Sequence, residues 1–158
     1  MADPKSSSSF NYLDLKLTRY TPFLRLKKEG GKEYVFDPLR KKHLILQPEE
    51  FVRQLLIVYL HREHQVPMIR MKSEHSIQLY NTHKRGDLIV FNRDGTVRLL
   101  VECKSYKHSD TLVTLDQIEG YNLALKADKL LISNGPQSLF FSRNSFEEGF
   151  QSVGKVEV

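Results

Sequence analysis

Arg85-Gly86-Asp87-Leu88-Ile89-Val90-Phe91-Asn92-Arg93-Asp94-Gly95-Thr96-Val97-Arg98-Leu99-Leu100-Val101-Glu102-Cys103-Lys104 decides the fold. Asp-Gly between two apolar runs signals a two-residue hairpin turn. With Asp94-Gly95 as the loop, Arg93 pairs with Thr96 and Asn92 with Val97. Continued outward, this register sets Asp87 directly opposite Glu102, with Cβ atoms roughly 4.5–5.5 Å apart. Residues two apart in a strand share a face. Lys104 therefore joins Asp87 and Glu102, while Cys103 points the other way. Nearer the turn that face carries Ile89, Phe91 and Leu100. Like charges directly opposed on a sheet are destabilising, and a cation between them removes the conflict. Hard oxygen ligands suit Mg²⁺ or Mn²⁺, and Mg²⁺ often takes only one or two carboxylates plus water and substrate phosphate. Lys104 neutralising the two carboxylates as a plain ion-pair network accounts for the same residues equally well, and another hairpin register would separate them.

Outward from the hairpin, the chain alternates in element type. Pro48 suits a first helical turn, and Glu49 and Glu50 sit where the helix dipole favours negative charge. Val52, Leu55, Leu56, Tyr59 and Leu60 recur at helical spacing, predicting a helix from Pro48 to near His64. Strands are expected around residues 73–80, 87–91 and 96–104, a second helix over 114–126, and further strands at 130–133 and 139–141. This order predicts an α/β fold with a central mixed β-sheet flanked by helices. Before it, Phe23–Leu26 and Tyr34–Phe36 flank Gly30-Gly31 and predict an N-terminal β-hairpin extension, and the chain from residue 10 onward is expected to form a single domain. The Ser-rich residues 1–9 are expected to be disordered.

Composition narrows the function classes. The 158 residues suit one domain, since a domain takes ~100–200 residues. Such a chain buries roughly 70% of the surface its unfolded form exposes. One cysteine, Cys103, excludes an internal disulfide and a cysteine-rich zinc site. No apolar run approaches the ~18 residues of a membrane span, and the start lacks a signal-peptide core, so a cytoplasmic protein with no membrane partner is expected. Lys and Arg number 24 against 19 Asp and Glu, a net charge of +5, compatible with a polyanionic partner. His61 and His64 lack the spacing of a helical zinc motif, and there is no phosphate-cradling glycine loop.

Asp87 followed by Glu102-Cys103-Lys104 resembles the D…ExK core of the PD-(D/E)xK nuclease superfamily. More closely, the chain resembles the N-terminal nuclease domain of type I restriction enzyme R subunits. Six blocks occur in order: Phe36–Lys41, Pro48–Gln54, Lys84–Val90, Leu100–Lys104, Asp116–Tyr121 and Ser133–Gly135. Gly86 replaces the proline of the superfamily name, a frequent departure. The resemblance implies a restriction-endonuclease-like fold and a metal-dependent DNA endonuclease using Mg²⁺ or Mn²⁺. It implies that Asp87, Glu102 and the backbone carbonyl of Cys103 hold the metal and that Lys104 orients or deprotonates the attacking water. A glutamate of the first helix joins the site in this family. Glu49 stands closer than Glu50 to the apolar stripe and is favoured, with both kept as candidates. Gln117 and Tyr121 match a Q-x-x-x-Y beside the nuclease centre, although Thr114-Leu115-Asp116-Gln117 is also a capping-box pattern. Lys84 and Arg85, on the loop before Asp87, and Lys107 are the expected phosphate contacts. DNA is the expected partner, together with a second copy or a helicase or specificity subunit. A non-catalytic nucleic-acid-binding or interaction module that keeps the nuclease fold is the alternative.

Overall fold

The computed structural model describes residues 10–79, 82–107, 117, 120, 126–145 and 148–158, with 74–79 and 82–86 described as backbone. The Ser-rich start, Tyr121 and most of the expected second helix over 114–126 lie outside the described residues; of that helix Gln117 and Gly120 are helical and Lys126 is not.

Six strands form a mixed sheet: β4 (Met71–Leu79), β5 (Thr82–Phe91), β6 (Val97–Cys103), β7 (Lys129–Ser133), β8 (Ser138–Ser142) and β9 (Gln151–Val153), in the order β4-β5-β6-β7-β8-β9. Every neighbouring pair is antiparallel except β6 and β7, which run parallel from Leu99↔Lys129 to Cys103↔Ser133. A parallel pair needs a crossover of a dozen or more residues, and residues 104–128 supply it. The central strands are apolar on both faces because both faces are covered. Leu88, Val90, Leu99, Val101, Cys103, Leu131 and Phe140 share one core with helix α1 (Pro48–Glu63). Ile89, Leu100, Leu130, Ile132, Leu139 and Phe141 form the other, with Ala127 and Phe150. Each such side chain contributes about 1.5–3 kcal/mol when fully buried. No described helix is long and apolar enough to cross a membrane.

The expected N-terminal hairpin is a three-stranded antiparallel sheet, β1 (Leu26–Glu29), β2 (Lys32–Asp37) and β3 (Lys42–Ile45). Gly30 and Gly31, at φ 57 and 77, make its first turn, where both central residues need positive φ. The expected start of its first strand at Phe23 gives way to a 3-10 segment, Leu17–Phe23, that contains Pro22. Tyr20 of that segment packs on Tyr59 of α1, ring centres 6.0 Å apart, and donates its hydroxyl proton to Glu63 at 2.5 Å. α1 is buried on more than its apolar stripe, with Glu50, Arg53 and Gln54 buried alongside Val52 and Leu55. It ends where His64 N–H donates to Leu60 O at 3.2 Å.

The β5–β6 hairpin differs from expectation at its turn and not in its body. Asn92 N–H donates to Thr96 O at 2.8 Å and Gly95 N–H to Asn92 O at 3.1 Å, so the loop has three residues, Arg93–Gly95. Phe91 then pairs with Val97, and a bulge carrying Arg98 as the extra residue follows. The bulge restores the anticipated pairs Val90↔Leu99, Ile89↔Leu100 and Leu88↔Val101. Gly95 at φ 87 is the left-handed residue such a three-residue loop requires.

Candidate active site

The far end of the β5–β6 hairpin meets the first turns of α1 and the turn between β2 and β3. Asp87 directly precedes Leu88, the outermost residue of β5 paired with β6. Its Oδ2 accepts the backbone N–H of Cys103 at 2.8 Å, and its Oδ1 lies 3.6 Å from Arg53 Nη2 on α1. Burial pushes the Asp87 carboxyl above its usual range. The Cys103 hydrogen bond and Arg53 pull it back, while Glu102 and Glu49 add to the rise. Glu102 and Lys104 share a face, with Lys104 Nζ 3.3 Å from Glu102 Oε1. Lys104 N–H donates to Ser133 O at 2.8 Å, which carries the β6–β7 pairing one step past the strand and holds the lysine's backbone. Cys103 points into the opposite, α1-side core, and burial there raises its thiol well above the ordinary value. A thiol so placed is neither nucleophile nor thiolate ligand.

The two helix glutamates lie opposite to expectation. Glu50 is buried, and Glu49 is exposed. The apolar stripe misleads because α1 is covered on a second side by the β2–β3 turn. There Arg40 Nη2 donates to Glu50 Oε1 at 2.6 Å, and Arg53 Nη1 lies 3.1 Å from Glu50 Oε2. Desolvation raises the Glu50 carboxyl against the pull of both arginines. Glu50 is thus committed to two guanidiniums, whereas Glu49 stays on the solvent side and within electrostatic reach of Asp87.

Lys84 and Arg85 belong to β5, opposite Ile77 and Ser76, and not to a preceding loop as expected. Strand pairing continues through them because β4 runs the whole length from Met71 to Leu79. Lys107 is exposed beyond β6, its N–H donating to Ser105 Oγ at 3.1 Å. Gln117 is exposed and helical. His61 and His64 are engaged separately, His61 Nδ1 with Val66 O and His64 Nε2 with the Tyr59 hydroxyl, each at 2.9 Å. An apolar pocket of about 390 Å³ lined by Phe51, Val52, Leu55, Tyr106 and Gly135 contains none of the candidate catalytic side chains.

Sequence reasoning missed Arg53, Arg40 and Asp37. The available signal was an arginine three residues after Glu50, next to the apolar stripe, and the Asp37-Pro38-Leu39-Arg40 turn, a spacing that lets one side chain reach the other. Asp37 is fully buried, and Arg40 Nε donates to its Oδ2 at 2.6 Å.

Among the described residues no group of three or more His, Cys, Asp and Glu is arranged to hold a metal. A Mg²⁺-type site asks for less, one or two carboxylates with a carbonyl, waters and substrate phosphate. Asp87 and Glu102, both carboxylates, partly accessible and mutually repelling, fit that requirement.

Comparison with curated proteins and with solved structures returns no match. A family model described as the type I restriction enzyme R protein N terminus (HSDR_N) matches residues 48–156, from the start of α1 to beyond β9. That span covers more than half of the chain, so the chain belongs to the family of type I restriction enzyme R protein N termini.

Proposed function

We propose that this restriction-enzyme-related module is a metal-dependent DNA endonuclease that hydrolyses phosphodiester bonds with Mg²⁺ or Mn²⁺. The observation that carries the reading is the convergence of Asp87, Glu102 and Lys104, all partly accessible, at one end of the β5–β6 hairpin. Asp87, Glu102 and the Cys103 carbonyl would hold the ion. When bound, it would lower the pKa of a water and offset charge on the phosphate oxygens.

The chain's own groups do the rest. Cys103 N–H fixes one Asp87 oxygen, leaving the other directed toward Arg53. Glu102 positions Lys104 Nζ at 3.3 Å, and Lys104 orients or deprotonates the attacking water. Glu49, exposed and within electrostatic reach of Asp87, is the helix glutamate available to the site, and Gln117 and Tyr121 are the further candidates of the Q-x-x-x-Y pattern. Lys84, Arg85 and Lys107 contact phosphates, and the net charge of +5 favours DNA. A helicase or specificity partner, or a second copy of the chain, completes the assembly.

The test is DNA cleavage with Mg²⁺ or Mn²⁺ alongside a binding assay. Lys104→Ala is expected to lose cleavage by ~10²–10⁴-fold, the usual cost of removing a positioned proton-transfer group, while keeping DNA affinity. A wild-type chain that binds DNA and never cuts it, across metals and substrates, would refute the proposal.

A further inference from the structure

The charges behind Asp87 form one alternating run from the N-terminal sheet to the candidate centre. Asp37, at the end of β2, accepts the backbone N–H of Leu39 at 2.8 Å and of Arg40 at 3.3 Å, which shapes the turn. The run continues from Asp37 to Arg40 at 2.6 Å, Arg40 to Glu50 at 2.6 Å, Glu50 to Arg53 at 3.1 Å and Arg53 to Asp87 at 3.6 Å. Three carboxylates alternate with two guanidiniums, so one negative charge is left over. Arg40 is hydrogen-bonded on both sides, whereas Arg53 meets Glu50 and Asp87 as ion pairs. Of these two carboxylates Arg53 lies nearer to Glu50.

We propose that Arg53 is the resident counter-cation of the centre. It is a positioning residue that neutralises Asp87 in the metal-free protein and yields Asp87 to the incoming ion while staying tethered to Glu50. This inference rests on the metal-dependent reading of the centre. Its consequence is regulatory. A guanidinium beside the ion weakens metal binding, and DNA phosphate adds negative charge that offsets it, so the ion is held more tightly with the substrate than without it. The device reaches back through Glu50 and Arg40 to the β2–β3 turn, which gives the N-terminal sheet a part in tuning the site.

The experiment uses the full chain with Mn²⁺ as the probe, read by electron paramagnetic resonance titration and by thermal unfolding. Metal-free Arg53→Gln is expected to unfold at lower temperature than wild type, and adding Asp87→Asn to it is expected to restore part of the loss. Arg53→Gln is expected to bind Mn²⁺ about tenfold more tightly, the effect of taking one positive charge from within about 6 Å of a dication at water-like screening. Its unfolding temperature then rises more with Mn²⁺ than that of wild type. A merely structural arginine would give a loss that Mn²⁺ does not relieve. Should Arg53→Gln not fold, Arg53→Met, which keeps the buried stem, carries the same expectations. Mn²⁺ affinity equal to or below wild type in a variant whose parent still cuts DNA overturns this inference alone. A double variant no more stable than Arg53→Gln also overturns it. Absence of Mn²⁺ binding in wild type and variant alike overturns it together with the metal-dependent reading.

Discussion

Arg40→Met removes the guanidinium that joins the N-terminal sheet to α1 while leaving most of the side chain's apolar stem. Arg40 makes two hydrogen bonds of 2.6 Å, to Asp37, which is fully buried, and to Glu50, which is 8% exposed. A hydrogen bond to a charged group contributes about 1.5–3 kcal/mol, and breaking a buried pair from one side costs about 3–5 kcal/mol. Asp37 keeps two backbone donors and Glu50 keeps Arg53, which holds the loss near the lower end, about 3 kcal/mol. For a chain of this length that lowers Tm by roughly 6–12 °C. The assay is urea and thermal unfolding at pH 7, with Lys42→Met as control. Lys42 is exposed on β3, and its replacement should stay within about 0.5 kcal/mol of wild type. The deficit of Arg40→Met should also shrink as pH falls, because protonation of Glu50 discharges the carboxylate stranded by the substitution. An Arg40→Met chain within about 1 kcal/mol of the control would refute the view that this buried run of charges supports the site.

Burial raises the Glu50 and Asp87 carboxyls, so the folded chain holds their protons more tightly than the unfolded chain. Their stabilising contribution is complete below the ordinary values of 4.5 and 3.8 and drains away as pH rises through the raised folded values. The stability of wild type relative to Glu50→Gln should therefore fall with rising pH in urea melts from pH 4 to 8, and a rise would contradict it. Cys103, buried and with its thiol raised far above the usual value, should resist alkylation at pH 8 in the native chain and react once urea unfolds it. Mass spectrometry reads this directly, and fast labelling of the native chain would contradict the buried placement.

The hairpin body was legible because strand alternation and an Asp-Gly turn are local signals. Its turn was not, since a three-residue loop and an Arg98 bulge cancel, leaving Leu88 opposite Val101 as a two-residue loop would. α1 was legible from Pro48 to its end for the same local reasons. Which glutamate it hides was not, because that depends on the β2–β3 turn docking against its other side, a tertiary fact with no periodic trace. β9 was missed because Gln151-Ser152-Val153 carries little strand signal and pairs only through β8. The strand expected from Phe23 begins only at Leu26, because Pro22 and packing against Tyr59 favour a 3-10 segment over Leu17–Phe23. Of the candidate site, Asp87, Glu102 and Lys104 come from strand periodicity. Arg53, Arg40 and Asp37 enter only when two elements distant in sequence meet.

The central claim is that Asp87 and Glu102 hold the catalytic ion of a nuclease. The most direct measurement is the anomalous scattering of crystals grown with Mn²⁺. The account predicts one peak at roughly 2.1 Å from oxygens of both Asp87 and Glu102, with water completing an octahedral shell and Arg53 still against Glu50. A saturating Mn²⁺ concentration that leaves no peak between these two carboxylates, or places the ion elsewhere with Asp87 unmoved beside Arg53, would contradict it.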